Sequence, residues 1–405
     1  MVAAVRKILI VVIVVTLIAG AAVVYLMMST PRQSVSIRAL LAQVPASADS
    51  FAIIPSAGSL DAKLRANPVT REALESWRGR GAVPRPWMIG GADLLAWKSG
   101  DSIQYFLQLD RFRAFLVKVY SMGGGELGRS IRINALSESA IDAAEVARIL
   151  DLASKLPPGD ALVVQRESAR GSFPPLPRPS VTSVQVTPTD VNLTSVAVAA
   201  SATDGRPGAA APTLTAHLPR GSVLAAAFTS PPRLVGDLNR LLGARVSGLL
   251  ADGGAIALYD VDAGKLLPRP IGVIAVPSDR RAAFDSLVST LRSGESLGYR
   301  AHTAERAGQL LLSFDESINQ YLIDQFDEAT VAGGQWTLVI DPQRLVPILG
   351  RLSDSIGLRI ASPHVFRAAR DLNGWIAPLQ RAKRIEATDS VQTGLEQLRV
   401  HLATK

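Results

Sequence analysis

Leu40-Leu41-Ala42-Gln43-Val44-Pro45 leads into the short apolar run Ser50-Phe51-Ala52-Ile53-Ile54. The same design returns at Leu214-Thr215-Ala216-His217-Leu218-Pro219, leading into Val223-Leu224-Ala225-Ala226-Ala227-Phe228. Leu60 and Leu64 after the first run match Leu234 and Leu238 after the second, at one offset of 174. Apolar residues four apart mark one buried helix face, so each run reads as a strand feeding a helix. The chain is built twice from one plan.

The likeness extends outward. Gly90-Gly91-Ala92 opens a predicted strand, Asp93 to Trp97, and Gly253-Gly254-Ala255 opens another, Ile256 to Val261. Second strands follow at Ile103 to Leu109 and Ile271 to Val276, then helix starts at Arg111 and Arg280. In the second copy Phe284, Leu287, Val288 and Leu291 form a single apolar stripe, which is core packing. Each copy closes with alternating strands: Val184–Val186 with Val196–Val198, and Ile385–Ala387 with Leu398–Leu402. Alternation sends Leu398, Val400 and Leu402 inward and Arg399 and His401 outward. Further helices are predicted at Asp142–Leu156, Glu316–Phe326, Gln343–Ile356 and His364–Ile376. Strands joined by short links favour an α+β fold: two tandem, distantly repeated α+β modules with largely antiparallel sheets. The modules span 34–200 and 213–405, separated by a linker at 201–212 rich in small residues, glycine and proline. Phe173–Pro179, with four prolines, reads as extended connecting chain.

Ahead of the modules, Ile8 to Met28 is free of charge. As a helix it covers about 30 Å, the thickness of a bilayer's hydrocarbon. Residues 1–30 therefore read as a signal-anchor transmembrane helix. Arg6 and Lys7 precede it, which predicts a cytoplasmic N-terminus, a single pass through a bacterial inner membrane and the bulk in the periplasm or outside. The lipid bilayer would then be a partner through Ile8 to Met28. A cleaved signal peptide is the rival, because Ala19-Gly20-Ala21 has the form of a cleavage site. The apolar run continues past it to Met28, which favours an uncleaved anchor.

Composition narrows the chemistry. The 405 residues are 48% hydrophobic, so the chain has enough apolar material for a sizeable core. No cysteine is present, which removes disulfides, thiolate metal sites and a cysteine nucleophile. The formal charge of +8 is dispersed and only 5% of residues are aromatic, against a nucleic-acid partner. His217, His302, His364 and His401 are scattered and make no local metal pair. Gly123, Gly125 and Gly128 match the spacing of a dinucleotide loop, but they follow a helix and precede a strand, the reverse of what that site needs. Asp260-Val261-Asp262-Ala263-Gly264 lacks the later ligands of a calcium loop and reads as a hairpin turn. Asp315, Glu316, Asp324, Asp327 and Glu328 read as solvated helix surface. Trp77, Trp87 and Trp97 suit packing. No catalytic, cofactor-binding or metal residue is assigned, and no cofactor is expected.

The apolar anchor, the strand openings at Val44-Pro45 and Leu218-Pro219, and the terminal hairpin together resemble a class of bacterial membrane-anchored exported proteins. These contain a domain of unknown function with no assigned activity. The resemblance implies a non-enzymatic envelope role and transfers no site residue. Three functions follow as expectations. The first is a membrane-anchored envelope scaffold or protein-interaction protein, partnered by an envelope protein. The second is a carrier for an apolar ligand such as lipid, with small-residue strands such as Leu224–Phe228 leaving room beneath a helix. The third, more remote, is a carboxylate-dependent hydrolase.

Overall fold

The computed structural model describes residues 37–78, 93–100, 102–108, 131–133, 140–166, 176–199, 222–228, 249, 253–262, 269–293, 300–306, 308–316, 336–355, 359, 366–367, 376–392 and 394–405. Among the described residues fifteen strands form a single sheet. In chain order they are β1 (Ser50–Ile54), β2 (Asp93–Ser99), β3 (Ser102–Gln108), β4 (Ile131–Ile133), β5 (Ala161–Gln165), β6 (Ser180–Val186), β7 (Asp190–Val198), β8 (Leu224–Phe228), β9 (Gly254–Asp262), β10 (Arg269–Pro277), β11 (His302–Arg306), β12 (Gln309–Ser313), β13 (Trp336–Ile340), β14 (Ala382–Gln392) and β15 (Leu395–Thr404). Across the sheet the order is β11-β12-β10-β9-β8-β13-β14-β15-β7-β6-β5-β1-β2-β3-β4. Neighbours run antiparallel, with β3 and β4 the parallel exception. The helices are α1 (Ile37–Leu41), α2 (Ala57–Ala66), α3 (Pro68–Arg78), α4 (Ala143–Ala153), α5 (Arg281–Ser293), α6 (Pro342–Ser353) and α7 (Ile376–Arg381).

This corrects the predicted fold class. Two tandem α+β modules with sheets of their own are replaced by one continuous antiparallel-rich sheet carrying few helices. The reason is the pairing of β7 with β15 along nine residues, from Leu395↔Val198 to Ala403↔Asp190. Two hairpins that would each end in an open edge satisfy those edges on each other. The predicted membrane placement is corrected as well. Among the described residues no helix is long and apolar enough to cross a membrane, so neither the N-terminal transmembrane helix nor a single-pass inner-membrane location is supported. Residues 8–28, the linker 201–212, the glycines 123–128, and the helices expected at 111–120 and beyond Glu316 lie outside the described residues.

The repeated plan is visible in the register. Each pair of the β6–β7 hairpin recurs 205 positions on: Ser180↔Ala197 becomes Ile385↔Leu402, and Val186↔Val191 becomes Val391↔Glu396. Further out, Ser50↔Gln165 in β1–β5 is matched by Leu224↔Ile340 in β8–β13. A loop bond repeats too, Arg166 N–H to Asp49 carbonyl answered by Asp341 N–H to Val223 carbonyl. The same offset of 205 carries Thr194 onto Arg399, and these two residues pair directly. A pseudo-two-fold axis therefore pierces the sheet between them. It relates β1-β2-β3 and β5-β6-β7 to β8-β9-β10 and β13-β14-β15.

Side chains directly opposite in an antiparallel ladder share a face, which assigns each core. On one face α4 lays Val146, Ile149 and Leu152 over Phe51, Ile53, Trp97, Leu162, Val164, Val181 and Val196. The side chain of Asp142 accepts the N–H of Glu145 and caps this helix. On the opposite face α2 packs Leu60 and Leu64 against Ile54, Val184 and Val186, and α5 packs Phe284, Leu287 and Val288 against Val276, Leu310 and Leu312. At the seam between the halves, α3 and α7 meet, with an Arg381–Glu72 ion pair at 3.5 Å.

Candidate functional site

The duplication itself locates the site, because equivalent positions carry different chemistry. In the first half Val181 pairs with Val196 beneath α4, at 0% and 2% exposure. The offset of 205 turns this pair into Glu386↔His401, which face each other across β14 and β15 on the same side of the sheet. Their side chains keep 39% and 43% of their surface. Valine is at home under a helix, whereas a carboxylate and an imidazole belong in water unless partnered. The second half thus carries partly exposed polar side chains where the first carries buried valines.

That floor runs over β7, β15 and β14 in two cross-strand rows. One row reads Asn192, His401, Glu386 and the next Thr194, Arg399, Thr388. His401 Nδ1 lies 2.7 Å from Asn192 Oδ1, and its Nε2 lies 3.5 Å from Asp190 Oδ1. Asp190 is held in turn, its Oδ2 accepting from Thr189 Oγ1 at 2.6 Å. Arg384 Nε sits 2.5 Å from Glu386 Oε1. Arg399 is exposed and donates from Nη2 to Gln397 Oε1 at 3.2 Å. Arg384, opposite Ala403 and two residues before Glu386, lies on this face too, and the β-bulge falls just before it, between Ala382 and Arg384.

Arg384 and Glu386 form an ion pair, His401 lies beside Asp190, and Arg399 has no carboxylate partner among the described residues. The floor presents hydrogen-bonding side chains in rows across three paired strands. Among the described residues no group of three His, Asp or Glu side chains is placed to hold a metal ion.

Other charged clusters serve the fold. Arg166 grips both oxygens of Glu145 at 2.5 and 2.8 Å and donates to the carbonyls of Ala46 and Ala48 at 2.7 and 2.6 Å. The hydrogen bond that Arg166 donates to Glu145 raises the guanidinium pKa above its ordinary value. This clamp ties α4 and β5 to the turn before β1. Asp160 accepts from Lys63 Nζ at 2.6 Å and from the N–H of Val186 at 2.9 Å, pinning α2 to the sheet.

The sequence placed Arg399 and His401 on the wet side of the last strand, and both are there. It did not bring Asn192 and Asp190 to them, some two hundred residues earlier in the chain. Of the other singled-out residues, His302 starts the terminal strand β11, and Asp260 and Asp262 lie on β9. Asp260 pairs with Arg351 and Asp262 with Arg269. Trp97 is buried at 2% exposure in the first core. His217, His364, Trp87, Asp324, Asp327 and Glu328 lie outside the described residues. No protein-family model, curated protein or solved structure matches the chain.

Proposed function

We propose that the chain is a non-catalytic interaction protein, and that the polar floor of β7, β15 and β14 is where a protein partner docks. The observation that carries this reading is the replacement of Val181 and Val196 by Glu386 and His401 at positions equivalent in register. A buried floor became a water-facing one, while the strand pairing beneath it stayed the same. The polar groups there are arranged in rows across three paired strands, so the surface is rigid, and a rigid surface loses little entropy on docking. The test is a photo-crosslinking residue at Gln397, with Lys155, exposed beyond α4, as the control position. A single adduct species from Gln397, rebuilt from purified components, is the expected result. Adducts no stronger than those from Lys155 would remove the proposal.

A second reading, an apolar-ligand carrier, has its own support. On the same face, further into the second half, Ala225, Ala227, Ala255, Ala257, Ala275 and Ala304 gather with Val273 and Leu311. Such small side chains leave volume above the sheet for acyl chains. Solvent extraction of the purified protein, followed by mass spectrometry, tests it. The carrier requires a stoichiometric apolar molecule that Ala257→Phe displaces.

A further inference from the structure

We infer that the outer margin of the first half binds a neutral amide group, and that Trp97 and Gln104 are the pair that recognises it. The two residues are directly opposite on β2 and β3, so their side chains rise on one face of the sheet, about 5 Å apart at their bases. Trp97 is 2% exposed. Its Nε1–H is buried, and so is the Oε1 of half-buried Gln104. Among the described residues neither atom has a hydrogen-bond partner. An indole nitrogen only donates and a carboxamide oxygen only accepts. A donor and an acceptor thus stand side by side, both unmet. Buried polar atoms are normally bonded to protein, water or ligand, and one left unmet destabilises the fold that carries it.

The second half is built without this pair. Register carries Phe51 onto Ala225, because Ser50↔Gln165 answers Leu224↔Ile340. The next positions across are Trp97 and then Gln104 in the first half, Ala257 and then Val273 in the second. Ala257 and Val273 are each 1% exposed, an apolar pair that leaves no polar side-chain atom behind. The same ladder therefore forms with neither an indole nor a carboxamide. The surroundings set the chemistry of the occupant. Phe51, directly opposite Trp97, and Phe106 join it in one buried apolar cluster. An ion there would lose its hydration to two uncharged partners, so the occupant is neutral. It accepts from Trp97 and donates to Gln104. An amide does both from neighbouring atoms of one plane, and aromatic faces receive a planar group.

The indole N–H signals of the full chain's five tryptophans, followed by proton–nitrogen correlation NMR, test the inference. Trp97→Phe identifies the signal of Trp97. The lactam pyrrolidone, whose ring fixes an N–H beside a carbonyl, should move that signal saturably and leave the other four in place. Gln104→Val, which copies the second half, should weaken the lactam about tenfold, the effect of one lost hydrogen bond. It should leave the melting temperature of the ligand-free chain unchanged or higher, because an unmet acceptor has gone. Acetate and tert-butanol should bind much more weakly than the lactam. A Trp97 signal that stays still, or that moves only as all five do, would overturn the site. Equal affinity in Gln104→Val, or equal binding of tert-butanol or acetate, would overturn the recognition of an amide by this pair. A lower melting temperature in Gln104→Val would make the pair structural. A Trp97 signal displaced by Gln104→Val but blind to the lactam would show the two side chains bonding each other, and that too removes the site.

Discussion

Tyr259, on β9, is buried enough that its phenol titrates well above the usual tyrosine range, because the phenolate would lose its hydration. Burial raises Tyr105 on β3 as well. The sign of the linkage follows. Below the unfolded-state pKa near 10 both states hold the proton and neither residue affects stability. Above it the unfolded chain releases the proton and the folded chain keeps it, so stability falls as pH rises. Urea denaturation from pH 8 to 11 should show this decline, and Tyr105→Phe with Tyr259→Phe should flatten it. An unchanged slope in the double variant would show that neither phenol is held in its neutral form by the fold. Single residues were also where the sequence was most legible. Period-two alternation places Leu398 inside, at 1% exposure, and Arg399 outside, and the structure agrees. Alternation is a property of the local backbone and needs no knowledge of the partner strand. The contact between His401 and Asn192 joins strands from different copies, and no local pattern encodes it.

At the scale of an element, α4 is the clearest case of sequence writing structure. Asp142 supplies the cap, and Val146, Ile149 and Leu152 share one buried side at spacings of three. Ile149 is fully buried among Phe51, Leu162 and Val164. Ile149→Ala should cost about 2–5 kcal/mol, a core truncation that leaves a cavity. Asp142→Ala should cost about 1 kcal/mol, the loss of a cap. Thermal unfolding monitored by circular dichroism should rank them in that order, and an equal loss from both would mean that α4 is not seated on this core. Strands β5 and β12 escaped the sequence reading for a physical reason. Ala161-Leu162-Val163-Val164 and Leu310-Leu311-Leu312 are unbroken apolar runs, buried on both sides, with no alternation to read. The start of β9 also shifted: the structure begins it at Gly254, where the sequence put the turn. Its bulge with β10 brings Gly272 so near that a Cβ there would lie 2.6 Å from the Ala257 carbonyl oxygen. Only glycine fits that approach without moving a backbone.

For the whole molecule, the two separate modules expected from the sequence give way to one sheet, and the joint between β7 and β15 was not legible. Which hairpin edge meets which depends on backbone hydrogen bonds that any side chain permits, so composition is silent about it. The continuity from β6 through β7, β15 and β14 predicts how the protein unfolds. Trp97 lies in the core of the first half and Trp336 on β13 in the second, and the far-ultraviolet signal reports strands from both. Tryptophan fluorescence and circular dichroism should therefore give coincident denaturation curves. Placing proline at Val400, which pairs with Leu193 across the joint, removes a ladder donor and should shift both curves together. Two separated transitions in the parent chain would mean that the halves melt independently.

The axis between Thr194 and Arg399 has a bearing on how such a surface can arise. Were the two copies separate and identical subunits, any change would occur on both sides at once. Putting glutamate and histidine on one floor would then strip the seat of α4 from the other. Covalent fusion lifts that constraint. One copy can keep its greasy seat and hold the assembly together, while its twin is free to acquire charge. Asymmetry at Val181 and Glu386, or at Val196 and His401, is what a joined pair can tolerate and a symmetric dimer cannot.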